Sequence, residues 1–290
     1  MKITRTKLFE NERLQVGLFE ARVASDACGE VDRQTSNLLV LPFSGVFSKY
    51  DAPGRYVIGT PSHAVFIAAD TPYRLGFPGA IGDRALTFRF DEDLAPEQLD
   101  GSDKADGIAS HGLLSANAMM LRTLLGRRLQ RATADAFEIE TMALDLVHLS
   151  LNSMRRKTLV VGQPTLARRI RALERVKEAV AAAPADKWNV ARLAKIANLA
   201  PFHLCHVFRE LVGTSVYNYV LQERLARALD HVMDQGEDLT AIAMQVGFAS
   251  HSHFTERFRR FFGCTPAEVR RNTSVGRVRE MRKIMIARLN

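Results

Sequence analysis

Residues 251–260, HSHFTERFRR, put two imidazoles, two hydroxyls, one carboxylate and three guanidinium groups within ten positions. Such a set offers metal ligation, hydrogen bonding to a nucleic acid, or a merely solvated basic surface. Metal ligation fails on arithmetic. His251 and His253 make an incomplete pair, as do His203 and His206 upstream, so no metal and no cofactor is expected. Phe254, Phe258 and Phe261 recur at helical spacing, which predicts one buried apolar face and an outward face carrying Ser252, Thr255, Glu256 and Arg259. A helix in the major groove meets base edges through its first turns and phosphates farther along. His251, Ser252, Thr255 and Glu256 are therefore the expected base contacts, and Arg257, Arg259 and Arg260 the phosphate contacts.

The flanking residues supply the elements that would hold this helix. Asp238 can cap a helix from Leu239 to about Gln245, and Val246-Gly247-Phe248 makes a tight turn in which Gly247 takes a positive φ at little cost. Ser250 caps the next helix, Gly263 stops it, and Thr265-Pro266-Ala267-Glu268 is a capping box with proline at the first helical position. Helix, tight turn and basic second helix form a helix-turn-helix pattern. The pattern occurs twice. Residues 190–216 match 239–266, with Ala194 at an offset of 49 from Ala243, and Leu204, Phe208, Arg209, Gly213 and Ser215 at an offset of 50 from their counterparts. In this first copy Phe202, Cys205 and His206 are the expected base contacts, Arg209 a phosphate contact, and Arg192 joins from the preceding helix. A predicted helix over 216–235 connects the copies. Its length, about 30 Å, is close to the roughly 34–36 Å between successive major grooves on one side of B-DNA.

Ala243, Gly247, Phe248, Phe254, Phe258, Gly263, Pro266 and Arg271 stand where the AraC/XylS family of bacterial transcription regulators has its signature. The duplicated motif resembles that family's DNA-binding domain. The resemblance implies a sequence-specific regulator, an activator in most relatives, working as a homodimer on double-stranded DNA and engaging RNA polymerase. Three positions depart from the pattern. His206 and Glu256 stand where members commonly carry Arg, and Ala200 replaces a capping Ser. Glu256 can accept from cytosine N4, which puts base preference at the second site in doubt.

Charge distribution agrees with a polyanion partner for one half only. Residues 157–290 hold 22 Lys and Arg against 12 Asp and Glu, net +10, whereas residues 1–156 hold 18 against 20, net −2. Hydrophobic residues make up 47% and charged residues 25% of the 290, as in soluble proteins, and no apolar run is long enough to span a bilayer. MKITRTKLFENERLQ lacks a signal-peptide core, so cytoplasmic residence and no membrane partner are expected. Cys28, Cys205 and Cys264 are too scattered for a disulfide framework or a zinc site, and Cys205 has no resolving partner nearby.

The first hundred residues read as short strands at 38–43, 45–50, 55–60, 63–69 and 84–90, with further candidates at Leu14–Glu20 and Thr4–Phe9. Their order resembles the cupin-like amino-terminal domain that many members of the family carry. Cupin enzymes need paired histidines and a carboxylate. Only His63 is present here, which rejects a metal-dependent enzyme. Phe66, Tyr73, Phe77, Phe88 and Arg89 either line an effector pocket or pack the core, and the sequence leaves both open. Helices are predicted at Gly112–Arg131 and Asp135–Met154, the second with an apolar arc wide enough for a dimer contact. A helix capped by Thr165 follows and ends before Pro184.

The expected fold class is α+β with two domains. Residues 1–154 form a cupin-like β-barrel with a helical hairpin for effector binding and dimerisation, and 155–164 a linker. Residues 165–271 form an all-α DNA-binding domain with two helix-turn-helix motifs, and 272–290 a basic tail. The expected function is a non-enzymatic, DNA-binding transcription regulator with a possible small-molecule effector. A DNA-alkyl-transfer enzyme fused to such a domain would need a cysteine cluster that is missing. A ligand-independent dimer whose first domain only dimerises stays open.

Overall fold

The computed structural model describes residues 1–26, 28–91, 94, 111–130, 135–154, 163–234 and 236–272. The expected acidic connection at 91–109, the linker at 155–164 and the basic tail lie almost wholly outside the described residues. Strands are β1 (Lys2–Glu10), β2 (Leu14–Arg22), β3 (Asp32–Arg33), β4 (Asn37–Gly45), β5 (Phe47–Ala52), β6 (Arg55–Gly59), β7 (His63–Ile67), β8 (Pro72–Gly76), β9 (Asp83–Phe90) and β10 (His111–Leu113). They make two antiparallel sheets, one in the order β1-β2-β9-β4-β7-β10 and one in the order β3-β8-β5-β6.

Alternation along the central strands sends successive residues to opposite faces of the larger sheet. Phe19, Leu38, Val40, Val65, Ile67 and Ala85 point at the smaller sheet and pack with its Phe47, Val57 and Tyr73. Their neighbours Val16, Leu39, Leu41, Phe66, Leu86 and Phe88 lie on the other face, under the helices α1 (Ala116–Leu129) and α2 (Ala136–Ser153). Gly112 is therefore a strand residue paired with Ala64, not the start of a helix as its apolar surroundings suggest. Helix α1 begins three residues past the strand, where Ser115 accepts from the backbone of Ala118.

The remaining helices are α3 (Gln163–Ala182), α4 (Val190–Ala197), α5 (Pro201–Val212), α6 (Val216–Met233), α7 (Leu239–Gln245), α8 (His251–Phe262) and α9 (Pro266–Asn272). Thr165 lies inside α3 and does not cap it; the helix starts two residues earlier, with Pro164 in its first turn, where proline's missing N–H costs nothing. The other caps fall where expected. Asp238 accepts from Thr240 and Ala241, and Thr265 and Glu268 bond reciprocally. Those backbone donors hold both carboxyls below their ordinary range, Asp238 chiefly through Ala241 and Glu268 chiefly through Thr265. Gly247 has φ +91°, and a Cβ there would lie 2.6 Å from Cα of Ala185. The turn of the second motif thus packs against the chain that leads into the first.

The two motifs have different cores. The first packs α3, α4 and α5 around Val176, Leu193, Leu204, Phe208 and Tyr219. The second shares one continuous core with the sheet's outer face and with α1 and α2, through Leu229, Ile242, Phe254 and Phe258. Phe262, not the expected Phe261, completes its buried aromatic row, and Phe261 is half-buried at the edge.

Helix α6 touches every part. Its Glu223 accepts from Thr60 Oγ1 at 2.6 Å and from Ser62 Oγ. Gln222 donates to Leu114 O at 2.9 Å, and Arg224 donates to Pro184 O and Asp186 O. Arg127 of α1 and Arg270 of α9 donate to Asp230 O and Val232 O. Helix α3 makes a parallel tie: Glu174 accepts from the backbone of Ile58 at 2.7 Å and from Lys177 at 2.7 Å, and Lys177 reaches Nε2 of His111 at 3.1 Å.

The repeats supply an internal control on capping. Ser250 accepts from His253 N at 3.2 Å, whereas Ala200, at the same place before α5, makes no side-chain cap. Ala200→Ser should therefore add up to about 1 kcal/mol, raising Tm by a few degrees in a thermal melt. An unchanged Tm would show that α5 is already capped by other means.

Candidate nucleic-acid interface

Helices α5 and α8 have the same construction. Leu204, Val207 and Phe208 bury one side of α5, and Phe254, Phe258 and Phe262 bury one side of α8. Both end at a left-handed glycine, Gly213 and Gly263. Opposite these apolar rows the side chains are free of the core. On α5 Phe202 is 86% exposed, with Cys205, His206 and Arg209 exposed beside it. Water gains nothing from an exposed phenyl ring, so Phe202 is a candidate for apolar contact with a thymine methyl. His206 lies 3.9 Å from Glu210, whose other partner is Arg169 at 3.4 Å.

On α8 the expected residues converge. His251, Ser252, Thr255, Glu256, Arg259 and Arg260 line one shallow hollow on the surface. Glu256 is exposed among these cations and forms no ion pair among the described residues. Its carboxylate can accept from a base amino group while Arg259 and Arg260 stay beside it for phosphates.

Two expected contacts are committed elsewhere. Arg257 is half-buried and donates from Nε to His253 Nε2 at 3.3 Å, while the His253 ring packs edge-on against Phe248 at 5.5 Å. That pair braces the turn and splits His253 from His251. Arg192 is folded back, with its guanidinium 4.1 Å from the Trp188 ring and bonded to Asp186 at 2.7 Å. Trp188 is itself fixed by a bond from Nε1 to Ala183 O at 2.8 Å. Arg192 can still present one edge of its guanidinium, but its charge is already shared.

The expected effector residues do not form one site. Tyr73 and Arg89 line a cavity of about 210 Å³ between the two sheets. Phe77 is buried in the same inter-sheet core without being among the lining residues. Phe66 and Phe88 lie on the opposite face of the large sheet, under the helices. Phe88 is adjacent to Arg89 on β9, so it must point the other way. Gln15, Gln34, Phe47, Asp83 and Thr87 also line the cavity, and none was expected there from the sequence. The alternation Asp83, Ala85, Thr87, Arg89 on β9 was the available signal.

A family model described as a helix-turn-helix domain matches residues 193–272. The RCS-specific HTH-type transcriptional activator RclR of Escherichia coli is 36% identical over 87 residues, which is 30% of this chain and 31% of that relative. The HTH-type transcriptional regulator GlxA of Rhizobium meliloti is 34% identical over 101 residues, covering 35% of this chain and 30% of that one. This chain thus spans about a third of the length of the curated relatives it matches. A crystal structure of apo ToxT from Vibrio cholerae aligns over 89% of this chain and 97% of its own at 14% identity, with a TM-score of 0.34. That superposition is too loose to bear on this chain's function.

The surroundings of Glu256 generate one prediction. Glu256→Ala should change which base is preferred opposite the first turns of α8, read as a shifted consensus in selection from random double-stranded DNA. An unaltered consensus would mean that Glu256 makes no base contact.

Proposed function

We propose that the chain is a sequence-specific DNA-binding transcription regulator, on the premise that its residues 193–272 are a helix-turn-helix domain of the AraC type. The observation that carries this reading is the pair of exposed polar faces on α5 and α8, alike in construction and joined by α6. Eighteen residues of α6 span about 27 Å, which with the flanking turns suits two recognition helices in successive major grooves. Base contacts come from Phe202, Cys205, His206, His251, Ser252, Thr255 and Glu256. Phosphates are held by Arg209, Arg259 and Arg260, with lesser shares from Arg192 and Arg257.

In this reading residues 1–154 are a cupin-like sensing and dimerisation unit, 155–164 the linker, 165–271 the DNA-binding unit and 272–290 a basic tail. The cavity between the sheets favours a unit that senses a small molecule over one that only dimerises. Homodimerisation is assigned to α2, whose Phe137 is 75% exposed and stands in a helical row with Thr141, Leu144 and His148. The regulator acts as an activator through contact with RNA polymerase, in the cytoplasm, and performs no catalytic step. Among the described residues no helix is long and apolar enough to cross a membrane.

Selection of the full chain on random double-stranded DNA should return sites with two constrained blocks whose centres lie about 10–10.5 base pairs apart. A single constrained block would show that one motif alone reads sequence and would overturn the two-groove reading.

A further inference from the structure

The cavity between the sheets has a chemical bias that its outline alone does not reveal. It sits on the inner face of the large sheet, where strand register sets its floor in rungs. Gln15, Arg89, Leu38 and Ile67 align across β2, β9, β4 and β7. In the next rung Lys7, Gly17, Thr87 and Val40 align across β1, β2, β9 and β4. Gly17 opens the hollow, since a Cβ there would crowd Thr87 Oγ1 at 3.0 Å. Phe47, Tyr73 and Leu75 of the smaller sheet form the roof. Leu38, Val40, Ile67, Phe47 and Leu75 supply the apolar surface, and Gln15, Gln34 and Tyr73 stand with Arg89 at one end.

Arg89 is the cation there whose charge is not matched. Arg5 pairs with Asp32 at 3.4 Å and Lys7 with Glu10 at 2.6 Å. Arg89 instead donates to two neutral amide oxygens, Gln15 Oε1 at 3.1 Å and Gln34 Oε1 at 3.2 Å, and among the described residues no carboxylate pairs with it. Gln34 is held in turn by Tyr73, to whose hydroxyl its Nε2 donates at 2.9 Å, and the Tyr73 hydroxyl donates to Asp32 at 3.0 Å. The guanidinium is thus aimed by a relay of fixed groups, which is the arrangement that favours a planar, doubly accepting anion. The single acid among the lining residues is Asp83, six positions along the same strand, about 20 Å away at 3.3 Å per residue. Burial pushes it up to about 8, so at pH 7 it is mostly neutral and does not oppose an anion.

We propose that this cavity binds a small organic acid, its carboxylate on Arg89 and its apolar body on Leu38, Val40, Ile67 and Phe47. This rests on the reading of residues 1–154 as a sensing unit and names the class of effector. Size narrows it further. A cavity of 150 Å³ takes benzene, so about 210 Å³ suits an acid of about six to nine carbons.

The test is calorimetric titration of the full chain with three matched sets: benzoate, benzamide and benzylamine; phenylacetate, phenylacetamide and phenethylamine; hexanoate, hexanamide and hexylamine. At least one acid should bind tenfold or more tightly than its amide and amine. Arg89→Gln should reduce that ratio to near one, and Arg89→Lys should retain most of it. An amide or amine that binds as well as its acid overturns the acid class while leaving the cavity as a ligand site. An acid preference that survives Arg89→Gln places the anion elsewhere and overturns the assignment of Arg89. Absence of binding by all nine probes overturns both the acid class and the sensing role.

Discussion

The side chain of Glu223 is fully buried at the middle of α6, with the hydroxyls of Thr60 and Ser62 donating to it. Each hydroxyl has one proton and gives it to the carboxyl group. Nδ1 of His63, 2.7 Å from Thr60 Oγ1, must then carry its own proton and donate. Burial, reinforced by Lys177 and His111, holds the His63 ring well below its ordinary range and therefore neutral. A buried carboxyl group is costly unless its hydrogen bonds are made, and each such bond contributes roughly 0.5–1.5 kcal/mol. The turn at residues 60–63 and the helix that separates the two motifs are thereby fixed to each other. The rest of the arrangement follows from that contact, because α6 also bonds to the chain beyond α3, to α1 and to α9.

This contact gives the cavity a mechanical route to the motifs. Strand β7 has Ile67 at one end, in the cavity, and His63 at the other, beside Glu223. It is also the strand that joins β4 to β10 in the large sheet. Under the proposed function, a ligand that shifts β7 acts on α6 without touching either recognition helix. The second motif shares a continuous core with the sheet. The first has its own core and is tied to β6 by Glu174. Under the proposed function, this arrangement lets the relation between α5 and α8 change while each helix stays intact.

The helix-turn-helix half was the more legible in sequence because its signals are local. Caps, a turn glycine and aromatic rows occur within a dozen residues, and the structure places Asp238, Gly247, Ser250 and Thr265 in those roles. The large sheet hid its register because both of its faces are buried. On β7 all five residues are covered, so alternation no longer separates cavity from core and Phe66 could not be told from Tyr73; on β9 the polar alternation of Asp83, Thr87 and Arg89 did place Phe88 on the other face. His111-Gly112-Leu113 adjoins an apolar helix and carries no strand signal of its own; its pairing with β7 is a tertiary effect. The Glu223 contact was beyond any local reading, since its partners are more than 160 residues away.

The central claim is that this buried contact joins the sheet unit to the helix that spaces the motifs. Hydrogen exchange by mass spectrometry on the full chain, comparing wild type with Glu223→Ala, tests it most directly. Loss of the carboxyl should speed exchange together in residues 58–63 and in α6, whose Tyr219 also lies in the first motif's core. Faster exchange confined to α6, with residues 58–63 as protected as before, would contradict the account.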